Sequence, residues 1–313
     1  MSDNPLVTVI VPAYNGEQYI EDTLKSAATQ LYDNIEVIVI DDGSTDATAQ
    51  CVKPFLSDSR FRYIYQANAG VSVARNTGIL AGSGEWVAML DSDDLWMPDK
   101  LQRQVDLIAS NSDVSLVFAN GIEFNEHGDI GPFYRDRRKF PDGDIFCRLL
   151  DRNCLWTSSV MVRRQDLLDI GMFNAKSTAD EDYDVWIRIL QRGGLTCGVW
   201  EPVVRYRIRI DSSSCNKIAG YAGLVSMFSK VMTASTDRRH VQIARRSLAK
   251  AKSDLLLSRA RSVLISGGSR RELCRLIFLA WCAFPERCKP LGWIAQIMVG
   301  MSACVGKSLA RRW

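Results

Sequence analysis

The chain has 313 residues, 47% hydrophobic and 24% charged, with a formal net charge of +3. That balance excludes a disordered or fibrous chain and leaves room for one large domain or two modest ones with an ample core. Nine cysteines and only two histidines, without a Cys-x-x-Cys pair, argue against a zinc site and against a disulfide-stapled secreted scaffold.

Reduced thiols in a cytosolic compartment are the simpler account. Met1 to Pro5 lacks a basic stretch, and Val7 to Val11 is too short for a signal-peptide core. A cytoplasmic location is therefore expected. The charge is unevenly spread. Residues 211–313 hold 18 Lys/Arg against 5 Asp/Glu, whereas residues 1–210 hold 21 against 31. The two parts are expected to do different jobs.

In chain order, Leu6 to Val11 is a β-branched run that Pro12-Ala13-Tyr14-Asn15-Gly16 breaks. A helical stripe follows through Ile20, Leu24, Ala27 and Leu31. Ile35 to Ile40 predicts a second strand ending at Asp41-Asp42-Gly43-Ser44-Thr45-Asp46. Ser44 or Thr45 would cap the next helix, which should run to about Leu56. Phe61 to Tyr65 predicts a third strand, Val71 to Leu80 a helix, and Trp86 to Leu90 a short buried strand. Pro98 should open a helix with Leu101, Val105 and Ile108 on one face, followed by a strand over Val114 to Ala119.

Residues 121–141 read as a long loop or hairpin, and Leu155 to Val162 as a strand. Asp180-Glu181-Asp182-Tyr183-Asp184 opens a helix with Val185, Trp186, Ile189 and Leu190 on its apolar side, closed by Gly193-Gly194. Acids in a first helical turn also favour the helix dipole, so capping alone is one reading of that cluster.

Alternating strands and helices imply a largely parallel sheet with right-handed crossovers. Such sheets bind ligands beyond the carboxyl ends of their strands, where Pro12 to Asn15, Asp41 to Asp46 and Asp91 to Asp94 all fall. In an extended segment Asp91 and Asp93 share one face. Two carboxylates that close repel each other unless a cation or proton lies between them, and a hard divalent ion that also holds phosphate oxygens would resolve the conflict. A solvated acidic turn before the Pro98 helix is the plainer alternative.

From Gly220 the chain reads as helical and basic. Val241, Ala244, Leu248, Ala251 and Leu255 form one stripe, with Arg245, Arg246, Lys250 and Lys252 largely off it. After Gly267-Gly268, Leu273 to Phe284 is apolar except for Arg275, and Leu291 to Gly306 has no charge. Those 16 residues fall short of the ~20 needed to cross a bilayer. A peripheral helix on an anionic membrane, with Trp293, Ile294, Ile297 and Met298 inserted, fits this pattern. Packing on the rest of the chain or in a homodimer is the alternative.

Five motifs occur in order: Val-Thr-Val-Ile-Val-Pro-Ala-Tyr-Asn-Gly (7–16), Val-Ile-Asp-Asp-Gly-Ser-Thr-Asp (39–46), Ala-Arg-Asn-Thr-Gly (74–78), Leu-Asp-Ser-Asp-Asp (90–94) and Glu-Asp-Tyr-Asp-Val-Trp (181–186). Together they resemble an inverting family 2 glycosyltransferase. The resemblance implies a GT-A fold, an α/β architecture with a Rossmann-like mixed, mostly parallel sheet flanked by helices, here with a C-terminal helical extension. It divides the chain into a glycosyltransferase domain at 1–215 and a basic, partly apolar extension at 216–313. Within the first, 1–120 would bind the nucleotide sugar and 121–215 the acceptor.

The family comparison also implies roles. Pro12, Ala13, Tyr14, Asn15 and Asp42 match positions around the base of the donor, where a carboxylate can accept the imide N–H of uracil. Arg75 matches a nucleotide-binding arginine. Asp91 and Ser92 match the ribose and metal shell, Asp93 the direct ligand of Mg2+ or Mn2+, and Asp182 the catalytic base with Glu181 beside it. The implied reaction is hexosyl or N-acetylhexosaminyl transfer from a UDP-sugar to a glycan or lipid-linked glycan at the inner face of the cytoplasmic membrane, as in surface polysaccharide assembly; no nucleic acid partner is implied. One departure stands out. Where relatives often have a histidine before a serine-rich turn, this chain has Arg209 before Ser212-Ser213-Ser214. Arginine cannot ligate a metal, so either the ion has fewer protein ligands or Arg209 meets the diphosphate.

Two rivals differ in class. A sugar nucleotidyltransferase would carry a Gly-rich loop after its first strand to hold a triphosphate, and Pro-Ala-Tyr-Asn-Gly is not one. A catalytically silent nucleotide-sugar-binding scaffold would not need Asp91, Asp93 and Asp182 intact.

Overall fold

Val7 to Val11 cannot satisfy its backbone alone, and its β-branched side chains suit a pleated surface buried on both faces. It forms strand β1 (Val7–Ala13), buried along its whole length. The computed structural model describes residues 4–175, 180–209 and 217–285. They form two compact units, one of residues 4–149, 153–175 and 181–209, the other chiefly of residues 217–285.

In the first unit β1 is followed by α1 (Ile20–Ala28), β2 (Ile35–Asp41), α2 (Thr48–Val52), β3 (Phe61–Tyr65), α3 (Val71–Ala81) and β4 (Trp86–Met89). These four strands lie in the order β3-β2-β1-β4 and all are parallel. Ala13 is in register with Asp41, and Ile10 with Met89, so the three polar strand ends emerge on one edge. Gly78 lets α3 lie close on this sheet. A Cβ there would come within 2.7 Å of Ile10 Cγ2 and 2.8 Å of Ile40 Cδ1.

Beyond β4 the sheet becomes mixed. The chain continues through β5 (Leu95–Trp96), α4 (Lys100–Ser110), β6 (Val114–Asn125), β7 (Gly128–Pro132), α5 (Phe146–Asp151), β8 (Met161–Arg163), α6 (Arg164–Asp169), α7 (Glu181–Gln191) and β9 (Leu195–Arg207). Strand β8 is antiparallel to both β4 and β6, β9 is parallel to β6, and β7 closes a hairpin on β6. The mixed, mostly parallel sheet expected of a GT-A fold is therefore what the chain forms.

Several local expectations change. Leu155 to Val162 is not one strand: Thr157–Ser159 is a 3-10 turn and only Met161–Arg163 pairs. Strand β9 was not expected, because Gly198 and Pro202 interrupt its pattern; the sheet absorbs them as register shifts beside Asn120. Helix α2 is not capped by Ser44 or Thr45, since Asp46 accepts from Thr48 N–H. It is also shorter than expected, tightening to a 3-10 turn over Lys53–Ser57. The helix expected from Pro98 begins at Lys100.

Lys100 is fully buried, with Nζ 3.6 Å from the centroid of the Trp96 ring and without a hydrogen-bond partner among the described residues. Burial alone holds its pKa well below the usual lysine range.

The second unit holds α8 (Lys217–Ala234), α9 (Arg238–Ile265) and α10 (Arg270–Ala283). Asp237 caps α9 by accepting from Arg239 and His240 N–H. Its covered line runs through Ala244, Ser247, Ala251 and Asp254, rotated from the expected leucine-bearing stripe, while Arg245, Arg246 and Lys252 are exposed. Leu273 and Ile277 of α10 pack against Ala260 of α9. None of the helices, among the described residues, is long and apolar enough to cross a membrane. Ser212 to Ser214 and the uncharged stretch 291–306 lie outside the described residues.

Candidate active site

The loops after β1 and β2 are laced together. Asn15, held at φ 50°, donates its N–H to Ser44 Oγ at 2.9 Å and accepts Thr45 N–H at 2.8 Å. Gly16 N–H meets Thr48 Oγ1, and Glu17 accepts from Ala47 N–H. Pro12 and Ala13 are buried strand residues beneath this lacing, whereas Tyr14 is 54% exposed and presents its ring. Asp42 is buried and accepts from Gln66 Nε2, Ala69 N–H and Gly70 N–H at 2.7–2.9 Å. It shapes the 66–70 loop, and Oδ2, with a single protein donor among the described residues, keeps acceptor capacity on the same edge.

The strand β4 end turns sharply, with Asp94 N–H on Asp91 C=O. Asp91 and Ser92 are half-buried. Arg75, expected to meet the nucleotide, is buried and pairs its guanidinium with two carboxylates of the protein. One terminal nitrogen is 2.7 Å from Asp91 Oδ1 and the other 2.8 Å from Glu181 Oε1. The reason is burial: a cation inside a protein needs carboxylates on its fork, and Asp91 and Glu181 raise its pKa despite that burial. Arg75 therefore ties Asp91, beyond the end of β4, to the first turn of α7.

Asp182, next in that turn, accepts from Thr157 Oγ1 at 2.6 Å and from Tyr183 N–H at 2.6 Å. Burial first, then the Glu181 charge, push its pKa up to about 7, while Thr157 and Arg75 pull the other way. Asp93 is pushed up to about 6 by burial and by Asp91, against the pull of Arg209. Arg209 sits 3.1 Å from Asp93 Oδ2, so the side chain in the place of a histidine pairs with the expected metal ligand.

Sequence reading missed four supports. Asp94 is fully buried; it accepts from Arg207 N–H at 2.8 Å and bonds Ser158 Oγ at 2.5 Å. Burial, then Asp93 and Asp91, hold its pKa well above the usual carboxylate range. Arg207 Nε reaches Asp93 C=O, and Tyr206 is near enough to Asp94, Asp91, Asp93 and Asp182 that, with burial, they raise its phenol. The fourth support is the 157–159 turn itself. Asp94 had a visible signal as the last acid of its motif, and Tyr206 and Arg207 as the Tyr-Arg pair of the Tyr206-Arg207-Ile208-Arg209 run that ends in the departing Arg209.

A family model described as "Glycosyl transferase family 2" matches residues 8–170. The chain belongs to glycosyl transferase family 2. It is 33% identical over 219 residues to the Escherichia coli UDP-Glc:alpha-D-GlcNAc-diphosphoundecaprenol beta-1,3-glucosyltransferase WfgD, covering 69% of this chain and 82% of that one. It is 31% identical over 215 residues to TuaG of Bacillus subtilis (strain 168), named for teichuronic acid biosynthesis, covering 68% and 83%. Among solved structures, S. aureus TarS 1-349 in complex with UDP-GlcNAc superimposes with a TM-score of 0.67 at 19% identity, covering 90% of this chain and 82% of that one. The mannosyltransferase PcManGT of Pyrobaculum calidifontis, in complex with GDP-Man and Mn2+, gives 0.61 at 21% identity, covering 99% and 88%. At those identities the likeness shows the fold.

The acidic turn of this family 2 glycosyltransferase fits a divalent cation in its chemistry. Asp91 and Asp93 are hard oxygen donors, and burial with mutual repulsion makes the Asp93 anion costly without a nearby cation. No cluster of three or more His, Cys, Asp or Glu groups forms a cage among the described residues. Asp91 and Asp93 match in number the one or two carboxylates that, with substrate phosphates and water, hold an ion such as Mg2+.

Proposed function

We propose that this chain transfers a sugar from a UDP-sugar to a hydroxyl of a glycan or lipid-linked glycan, inverting the anomeric carbon, with Asp182 as the base. The observation that carries this reading is the placing of Asp182. It is a carboxylate with a pKa near 7 in the first turn of α7, joined through Glu181 and Arg75 to Asp91 at the sheet's ligand-binding edge. A base poised near neutral pH is suited to take a proton from an acceptor hydroxyl as that oxygen attacks.

The donor's base would lie against Tyr14, with Asp42 Oδ2 accepting the imide N–H. Asp91 and Asp93 would hold Mg2+ or Mn2+, which when bound supplies charge neutralisation for the departing diphosphate. Arg209, within reach of Asp93, is placed to pair with the same diphosphate. Arg75 acts from beneath, by orienting Asp91 and Glu181. The names of WfgD and of the TarS complex support a UDP-sugar, and those of WfgD and TuaG support a cell-surface or diphospholipid-linked acceptor. Incubating the purified protein with UDP- and GDP-sugars, and with polyprenyl-diphosphate-linked sugars as acceptors, should release UDP with formation of an inverted glycoside. Turnover confined to GDP-sugars, or a retained configuration, would overturn the reading.

The same proposal places the enzyme at a membrane face. Residues 211–313 carry the large basic excess, and Phe278, Leu279 and Trp281 of α10 are exposed. Each Lys or Arg near an anionic surface contributes about 1 kcal/mol, and salt screens it. The full chain should bind anionic vesicles, less so in high salt, and neutral vesicles weakly. Indifference to anionic vesicles at low salt would assign this region to a protein interface such as a homodimer.

A further inference from the structure

Three consecutive hydroxyl residues, Thr157, Ser158 and Ser159, are buried in one 3-10 turn. Buried hydroxyls are costly unless their hydrogen bonds are met, so where these bonds go is informative. Thr157 Oγ1 donates to Asp182 Oδ2 at 2.6 Å. Ser158 Oγ accepts Asp91 N–H at 3.1 Å and, having one proton to give, donates it to Asp94 Oδ2. The turn is braced from below by Trp96 Nε1 on Ser158 C=O at 2.7 Å and by Gln104 Nε2 on Ser159 C=O at 2.9 Å.

One rigid turn therefore touches two groups that chemistry must hold at a fixed separation. Adjacent residues grip the acid of α7 and the backbone of the donor-side acidic turn. A turn needed only for chain reversal would direct its hydroxyls to its own backbone, as Ser159 Oγ does on Trp156 C=O. Thr157 and Ser158 do not.

We propose that Thr157 is a positioning residue for proton removal: its hydroxyl aims the Asp182 carboxylate, and Ser158, beside it, locks that aim to the acidic turn at Asp91–Asp94. The proposal rests on the reading of Asp182 as base. A donated hydrogen bond also favours the ionised carboxylate. Other charged or titratable groups act on Asp182 from its surroundings: Glu181 from its own helix, Arg75 from α3 and Tyr206 from β9. Asp184, one turn position on, is paired with Arg188. Replacing Thr157 removes none of these groups.

The test compares Thr157→Val, which removes the hydroxyl at equal volume, with Thr157→Ser, which keeps it, over pH 5.5–9 in the full-length enzyme. Thr157→Val should shift the acid limb of the kcat profile upward by about one pH unit, a loss of about tenfold at pH 6 that fades by pH 9. KM for the donor should stay at the parent value. Thr157→Ser should restore the parental profile. If Thr157→Val does not fold, Thr157→Ala is read in the same way. An unshifted profile, or a loss equal at every pH and not recovered by serine, would overturn the proposal. Asp182→Asn separates the two layers: an active Asn variant refutes the base itself, whereas an inactive one beside a parental Thr157→Val refutes only the role of the turn.

Discussion

Asp182→Asn should lower kcat by roughly 10²–10⁴, the usual contribution of general base catalysis, with donor affinity almost unchanged. Asparagine keeps the size of the side chain: its Oδ1 can still accept from Tyr183 N–H, and its Nδ2 would donate to Thr157 Oγ1, reversing the other bond that holds Asp182. What it loses is a place for the acceptor's proton. The strand ends assigned to the donor, at Tyr14, Asp42 and Asp91 to Asp93, make no hydrogen bond to Asp182 among the described residues, so calorimetric titration with UDP should give the parental Kd. A matching fall in donor affinity would make Asp182 a structural group. Glu181 would then be the next carboxylate to replace.

Asp93→Asn should cost roughly 10²–10³ in turnover, the scale seen when a group that stabilises developing charge is removed, and should weaken diphosphate binding. Chelation of the parent enzyme with EDTA should reproduce both effects. The fold should survive, because the Asp93 carboxylate is ion-paired, among the described residues, with the half-buried Arg209, whereas Asp94 carries the buried bonds to Ser158 and Arg207. Full activity in excess EDTA would remove the metal assignment. Arg209, already paired with Asp93, would then be the cation that meets the diphosphate.

The parallel half of the fold was legible because its information is local. β1 and β2 are β-branched runs, β3 an aromatic-rich one and β4 a wholly apolar one; helices recur between them, and each strand ends in a polar break. The acids at 90–94 and 181–184 were visible for a similar reason: carboxylates crowded beside apolar runs have few purely structural uses. Thr157 and Ser158 were hidden. Their neighbours Leu155, Val160 and Val162 make the segment look like a strand, and the bonds that bend it come from Asp91, Asp94 and Asp182, which are far away in sequence. Strand β9 was hidden by Pro202, whose disruption the sheet accommodates in the partner strand's register. Arg75 was found as a site residue, but its pairing with Asp91 and Glu181 was not. Sequence shows a cation near a sheet edge; only packing shows that two acids have already claimed it.

Lys100 has a consequence for the energetics of the whole sheet. Its amine is buried over Trp96 without a hydrogen-bond partner among the described residues, and its folded pKa is depressed. In the unfolded chain a lysine titrates near 10.4. As pH falls below that value the unfolded chain takes up a proton that the folded one refuses, so the native state loses about 1.4 kcal/mol per pH unit until the folded pKa is reached. At neutral pH the protein thus carries a standing proton-linked penalty under the ring that braces the 157–159 turn. A methionine there would fill similar volume without that linkage, and the protein would trade a pH-sensitive floor beneath the 157–159 turn for an indifferent one.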